Sequence, residues 1–218
     1  MKTIIFFLYS ASILLSAAMA FIYRKDLRSR KLSILTPYLL LVFIQELCLH
    51  IYVRRSPTAS TGLMYNIYHP VTVLVFASLF YHMPITRKMR KLVLVLAAFY
   101  LILAVATFSF IEPITKLNGY LIVAAGFVIS CYAIIFLLNY FNMDNSEEEK
   151  HWRPVILITI GILTFYPVIG ISFAFHKQLL AYEATILGMK IYQLIPQVMS
   201  IFMYGCFARA FYLCKKRN

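Results

Sequence analysis

The sequence predicts an all-α membrane protein, a seven-transmembrane-helix bundle with its N-terminus outside and its C-terminus in the cytoplasm. Three observations carry this. Of 218 residues, 62% are hydrophobic and 13% charged, whereas a soluble domain is about half apolar and about a quarter charged. The apolar residues fall into seven runs, each near the roughly 20 residues that a helix needs to cross a bilayer core. The segments between the runs carry lysine and arginine on alternate sides of the chain.

The runs are 4–23, 33–53, 63–83, 92–111, 119–141, 155–175 and 186–208, joined by short connections. They form one transmembrane domain over 1–218 with no soluble catalytic module, so any chemistry must use the helices. The first, third and fifth connections and the tail hold fifteen of the 21 Lys and Arg residues, and the other side holds six. The richer side stays cytoplasmic, which fixes the direction of every span and points to an inner-membrane location. The net charge of +13 is therefore read as topological and directed at anionic lipid headgroups, not at nucleic acid.

The first run also resembles a secretory signal, with Lys2, an apolar core and Ala18-Met19-Ala20 at a cleavage-like position. Cleavage there would turn the basic side outward, and the run continues through Phe21-Ile22-Tyr23, so an uncleaved first helix is expected. Cys48, Cys131, Cys206 and Cys214 sit in or beside apolar runs without a CxxC pair. They read as packing residues, not as a disulfide framework or zinc site. The acidic block 144–149 reads as a solvated cytoplasmic turn or a contact for a basic partner.

Polar groups inside the runs mark where function should be sought, because a charge at membrane depth costs about 2.5–3.5 kcal/mol on insertion scales. Glu46 and His50 are four apart on the second run, on one helix face, where they can share a proton or hold a cation. Asn66 and His69 open the third run, with Pro70 freeing a backbone carbonyl near Asn66. Lys190, Gln193, Gln197, Ser200 and Tyr204 recur at spacings of 3, 4, 3 and 4, a single polar stripe along the seventh helix. Pro167 and Pro196 interrupt the sixth and seventh runs. Tyr9, Ser12 and Ser16 form a milder stripe that reads as packing. Glu46, His50, Asn66, His69, Lys190, Gln193 and Gln197 are thus expected to line one pocket in the outer half of the bundle. The cytoplasmic half holds almost no buried charge, which favours a receptor-like cavity over a continuous channel.

Known seven-helix families fit unevenly. A retinal-type lysine at Lys190 lacks the acid four residues earlier, where Ile186 stands, and the single Trp152 falls in a connection. Pro196-Gln197 is a lone copy of the PQ-loop dipeptide, on the seventh helix where that family's belongs on the first and fifth. The seven-helix zinc hydrolases use histidines near the end of the chain, and none follows His176. A metal site from Glu46, His50 and His69 remains as an alternative to the pocket.

The segments LLLVFIQEL and YNIYHP and the short basic tail resemble small seven-helix proteins of unassigned function frequent in Bacteroidota. That resemblance implies sensing together with separate kinases, and it transfers no catalytic residue. The expectation is a sensory or signal-transducing bundle that binds a small ligand or proton and engages a cytoplasmic or membrane partner. A transporter of a small polar or anionic solute, proton-coupled through Glu46, is the alternative, and an intramembrane metal hydrolase the third. No cofactor and no enzymatic activity are expected.

Overall fold

The computed structural model describes residues 2–56, 60–142, 149–175, 178–179, 185–186 and 189–215. Its long helices are α1 (Lys2–Ile22), α3 (Leu35–Arg55), α4 (Gly62–Tyr81), α5 (Arg87–Phe110), α6 (Gly119–Phe141), α7 (Glu149–Ala174) and α8 (Ile191–Leu213). All seven are long and apolar enough to cross a membrane. A short helix, α2 (Arg24–Ser29), fills most of the first connection. A two-residue antiparallel ladder pairs β1 (Thr185–Ile186) with β2 (Met189–Lys190). The chain is an all-α seven-helix bundle, as the apolar runs predict.

Four boundaries move by five residues or more, among them the start of α5 at Arg87, ahead of its run at 92, and the end of α8 at Leu213, past the end of its run at 208. The seventh helix begins at Ile191, five residues later than its apolar run, because Thr185–Lys190 holds the ladder. Hydropathy cannot separate a short extended apolar segment from helix, and β-branched Thr185 and Ile186 suit extended pairing better than a span. The sixth spanning helix, α7, starts at Glu149 and carries Trp152 and Pro154 inside it. Trp152 is therefore helical and packs against the core, where the sequence suggested a connection. Within the acidic block only the backbone of Glu149 falls among the described residues.

α2 ends in a Schellman turn. The Leu32 N–H donates to the Leu27 carbonyl at 2.9 Å and the Lys31 N–H to the Arg28 carbonyl at 3.2 Å. Lys31 adopts φ 60°, the left-handed conformation this turn requires and glycine usually supplies. Leu27 and Leu32, the apolar pair that accompanies such turns, are both fully buried. They pin the short helix under the bundle.

Six spans form a ring, in which α8 packs on α1 and α7, α7 on α6, α6 on α4, and α3 on α1. α3 meets α4 only along a short stretch, and α5 lies outside in the groove between α4 and α6. The outer stripe of α5, Val95, Phe99, Ile102 and Val105, is 60% or more exposed. That spacing of three and four residues is the lipid-facing side of a helix. The ring interior is aromatic: Phe76, Phe80, Tyr132, Phe136, Phe207 and Phe211 are fully buried, and Phe80 meets Phe136 at 6.0 Å between ring centroids.

Glycines set the closest helix approaches. A Cβ at Gly126 of α6 would lie 2.9 Å from the Tyr166 carbonyl oxygen of α7, whereas one at Gly170 would meet nothing nearer than 3.9 Å. Gly126→Ala should therefore force α6 and α7 apart and cost about 1–3 kcal/mol. Gly170→Ala should melt no lower than the parent in a detergent thermal-shift assay, since alanine also favours the helix. Equal melting of the two variants would contradict this packing.

Asparagines fasten the connections. Asn139 of α6 donates from Nδ2 to the Pro84 carbonyl at 2.8 Å, and its Oδ1 accepts from the Thr86 N–H at 3.2 Å. The tight turn before α5 is thus held against its neighbour at the end of the bundle that carries most of the basic residues, called here the basic end.

Candidate functional site

α3 turns Leu35, Tyr38, Leu39, Val42 and Leu49 inward. Continuing that face at steps of three and four places Gln45 and Glu46 on it and His50 off its edge. Glu46 is the only carboxylic acid in the seven apolar stretches of the described residues, that of α7 running from Trp152 to Ala174. The Tyr9 hydroxyl of α1 is turned toward its carboxyl group, near enough to donate to it, and Tyr65 of α4 and Tyr204 of α8 lie within electrostatic reach. No cation pairs with Glu46 among the described residues. An ionised carboxylate in this setting is expensive unless hydrogen bonds or a proton compensate it.

Further tyrosines extend this polar centre. The Tyr38 and Tyr68 hydroxyls meet at 3.1 Å. Tyr166 of α7 faces the same pair, and Tyr204 lies within reach of Tyr38 as well as of Glu46. Tyr38, Tyr166 and Tyr204 are each less than 7% exposed, so these hydroxyls are interior groups and not an interfacial belt. Phe76 packs edge-on against both Tyr38 and Tyr166, at 5.4 and 5.5 Å, and holds the two rings in place. Three helices, α1, α4 and α8, thus bring a phenol within reach of the carboxyl, and the cluster of Tyr38, Tyr68 and Tyr166 adjoins it through Tyr204.

Three polar atoms at the border of this centre have no hydrogen-bond partner although buried: His69 Nε2, Gln45 Nε2 and Gln197 Oε1. The His69 ring lies against Tyr65 at 6.2 Å and Tyr68 at 5.5 Å. Buried polar atoms are nearly always paired, and Ser16, Thr72, Arg90, Tyr100 and Tyr132 each hold a similar atom among the described residues. On α8, Ser200 and Tyr204 are buried and Gln197 half-buried, so the lower part of the predicted stripe does face the bundle.

The other predicted residues are used differently. His50 stacks on Phe6 of α1 at 4.0 Å and is exposed, not paired with Glu46. Consequently Glu46, His50 and His69 do not form a metal-binding trio, and no such group occurs among the described residues. Asn66 is buried and engaged. Its Nδ2 donates to the carbonyls of Ile114 at 2.8 Å and Lys116 at 2.5 Å, and its Oδ1 accepts from the Asn118 N–H at 3.3 Å. Asn118 in turn caps α6 through the Leu121 N–H at 3.0 Å and donates to Glu112 at 3.0 Å. Asn66 is therefore a fastener for the connection before α6, with both amide hydrogens committed and one lone pair of Oδ1 left. Lys190 precedes α8 as its N-cap, in extended conformation and exposed, so it does not continue the helical stripe. Gln193 lies in the first turn of α8, and its side chain falls outside the described ones.

The sequence pattern points to Glu46, His69, Gln197 and, on the seventh-helix stripe, Tyr204, whereas it reads Tyr9 as a packing residue and does not single out Tyr38. The signal for Tyr166 and Tyr204 is their position in the middle of a span. Together these features define a polytopic helical membrane protein whose interior holds one carboxyl group in a tyrosine cage. In comparisons with known proteins, the chain matches no family model, no curated protein and no solved structure.

Proposed function

We propose that this chain is a sensory bundle of the bacterial inner membrane, in which the Glu46–tyrosine centre responds to a proton or small polar ligand. The carrying observation is Glu46 itself, the one carboxyl in the described apolar stretches, faced by Tyr9 and near Tyr65 and Tyr204 without a cation. A proton on Glu46 inverts its bonding. The carboxylate accepts from Tyr9, whereas the acid also has a hydrogen to give. Because the partners sit on α1, α4 and α8, changing that bond changes how three helices fit. Pro70, Pro167 and Pro196 lie inside α4, α7 and α8, and a proline removes one backbone bond and eases bending there. Helix shifts would reach a cytoplasmic partner through the basic connections and the 144–149 block, with anionic headgroups holding the basic end.

The orientation proposed is N-terminus outside and C-terminus inside, from the distribution of Lys and Arg. A reporter fused after Asn218 should read cytoplasmic, and a periplasmic reading would reverse the proposal's direction. Kinship with the small seven-helix proteins of Bacteroidota is part of the same reading. Complementation of a deletion strain tests the function: Glu46→Gln and Tyr9→Phe should fail while reaching the membrane in normal amount, and full activity of both would remove the centre from the mechanism.

The row of hydroxyls between Glu46 and Tyr38 favours one second reading, proton-coupled transport of a small polar solute. Uptake into proteoliposomes that rises with an imposed pH gradient and is lost in Glu46→Gln would select transport over sensing.

A further inference from the structure

At the basic end, α2 and the starting turn of α3 face the last turn of α4 across a cavity of about 280 Å³ lined by Arg28, Lys31, Ser33, Ile34, Ser78 and His82. This is near the lower bound of roughly 300 Å³ for small-ligand sites. Two cations, two hydroxyls and an imidazole converge on it, and no carboxylate lines it. Ser33 and Ile34 lead into the N-terminus of α3, the positive end of that helix dipole. The C-terminal end of α4 would repel an anion, but its Ser78 carbonyl already accepts from His82 Nδ1 at 2.7 Å and from the His82 N–H at 3.3 Å. That bond also fixes the imidazole at the rim.

Lys31 supplies the second, independent observation. It sits at φ 60°, a conformation that glycine adopts far more readily than a residue with a side chain. The turn is thus built around a residue that weakens it, and the side chain obtained at that cost lines the cavity.

We propose that this cavity is a binding site for a phosphate group, with Arg28 as the bidentate donor, Lys31 as the second cation, and the Ser33 and Ser78 hydroxyls completing the shell beside the His82 ring. Guanidinium matches two phosphate oxygens at once, and lysine serves as a compact point charge beside it. The site is separate from the Glu46 centre and does not depend on the sensing role. Its phosphate can come from a lipid headgroup at the membrane surface or from soluble phosphate.

The test uses the full chain in maltoside micelles, with melting temperature followed against dihexanoyl phosphatidic acid, the matching dihexanoylglycerol, and inorganic phosphate. Phosphatidic acid should raise the melting temperature saturably and the glycerol lipid should not. Lys31→Gly should melt roughly 2–4 °C higher than the parent without ligand, since the turn is relieved. It should nevertheless need about tenfold more phosphatidic acid for half-saturation. Arg28→Gln should weaken binding similarly, while Lys25→Gln, on α2 but not lining the cavity, should not. If inorganic phosphate protects with the same variant dependence, the ligand is soluble phosphate. If it is inert while phosphatidic acid protects, the ligand is a lipid. Both outcomes uphold the phosphate site. The proposal is overturned if no phosphate probe shifts melting, if dihexanoylglycerol protects equally, or if Lys25→Gln loses as much as Arg28→Gln and Lys31→Gly.

Discussion

Replacing Gly62 by alanine should lower the melting temperature by roughly 6–12 °C, the equivalent of about 3 kcal/mol in a chain of this length. Gly62 is the first residue of α4, and the connection 115–117 lies directly on it. A Cβ there would run into the Thr115 carbonyl oxygen, the Lys116 carbonyl carbon and the Leu117 nitrogen. All three are backbone atoms, so no rotamer change relieves the collision, and the connection has to lift away. Lifting it breaks the Ser60 hydroxyl bond to Thr115 at 2.6 Å and withdraws Ile114, Lys116 and Asn118 from Asn66. Overpacking costs about 1–3 kcal/mol, and each buried group left unpaired adds about 1–3 kcal/mol unless water reaches it. Gly205→Ala is the control. It lies on an exposed face of α8 with nothing within 4 Å of its Cβ, and alanine there should stabilise by up to about 1 kcal/mol. A Gly62→Ala protein that melts like the parent would mean the connection does not rest on α4.

Glu46→Gln should abolish any pH-dependent response of the bundle while leaving the fold in place. Glutamine keeps the shape and still accepts from Tyr9, but it cannot exchange a proton. In a pH-difference infrared spectrum the parent should show a carboxylic C=O band from within the membrane. Glu46→Gln should lack this band, and Tyr9→Phe should retain it at a shifted frequency, since the band persists but loses one hydrogen bond. A band unchanged in Glu46→Gln would assign the titration to another group and end the role given to Glu46. Glu46→Leu separates charge from packing. If its melting temperature rises while function is lost, the carboxyl is kept for function at a cost in stability.

The two residues behind these predictions differ in how well the sequence announces them. A glutamate within LLLVFIQEL stands out because a charge in an apolar run demands an explanation. Its inward direction follows from the α3 periodicity that also places Tyr38 and Val42. Gly62 announces nothing, since a glycine beside a span reads as a turn, and its role depends on a connection more than fifty residues away. Asn66 shows the same limit in reverse. It looked like a pocket residue because it is polar and near Pro70, yet partners at 114, 116 and 118 take both its amide hydrogens and one lone pair of Oδ1. His50 failed for a local reason. It lies one turn from Glu46, but the 100° step per residue carries it past the inward face onto Phe6. Tyr204 stands out on its polar stripe, but Tyr65 and Tyr68 read as marks of a span end and Tyr9 as packing, and only the assembled ring brings Tyr9, Tyr65 and Tyr204 to one carboxyl. Apolar runs record which faces meet lipid, whereas contacts between distant spans leave no mark in a single sequence.

The ring closes where α8 meets α1, joining the first span in chain order to the seventh, and this sets an order of events during synthesis. Glu46 enters the bilayer as part of the second span, when Tyr9 has been made but Tyr166 and Tyr204 have not. Five further spans follow, and the carboxyl waits in an unfinished enclosure meanwhile. α4 brings Tyr65 to it, and α8 supplies Tyr204 last. A ribosome that stops early leaves an exposed acid in the membrane, a chemical mark by which an incomplete copy differs from a finished one.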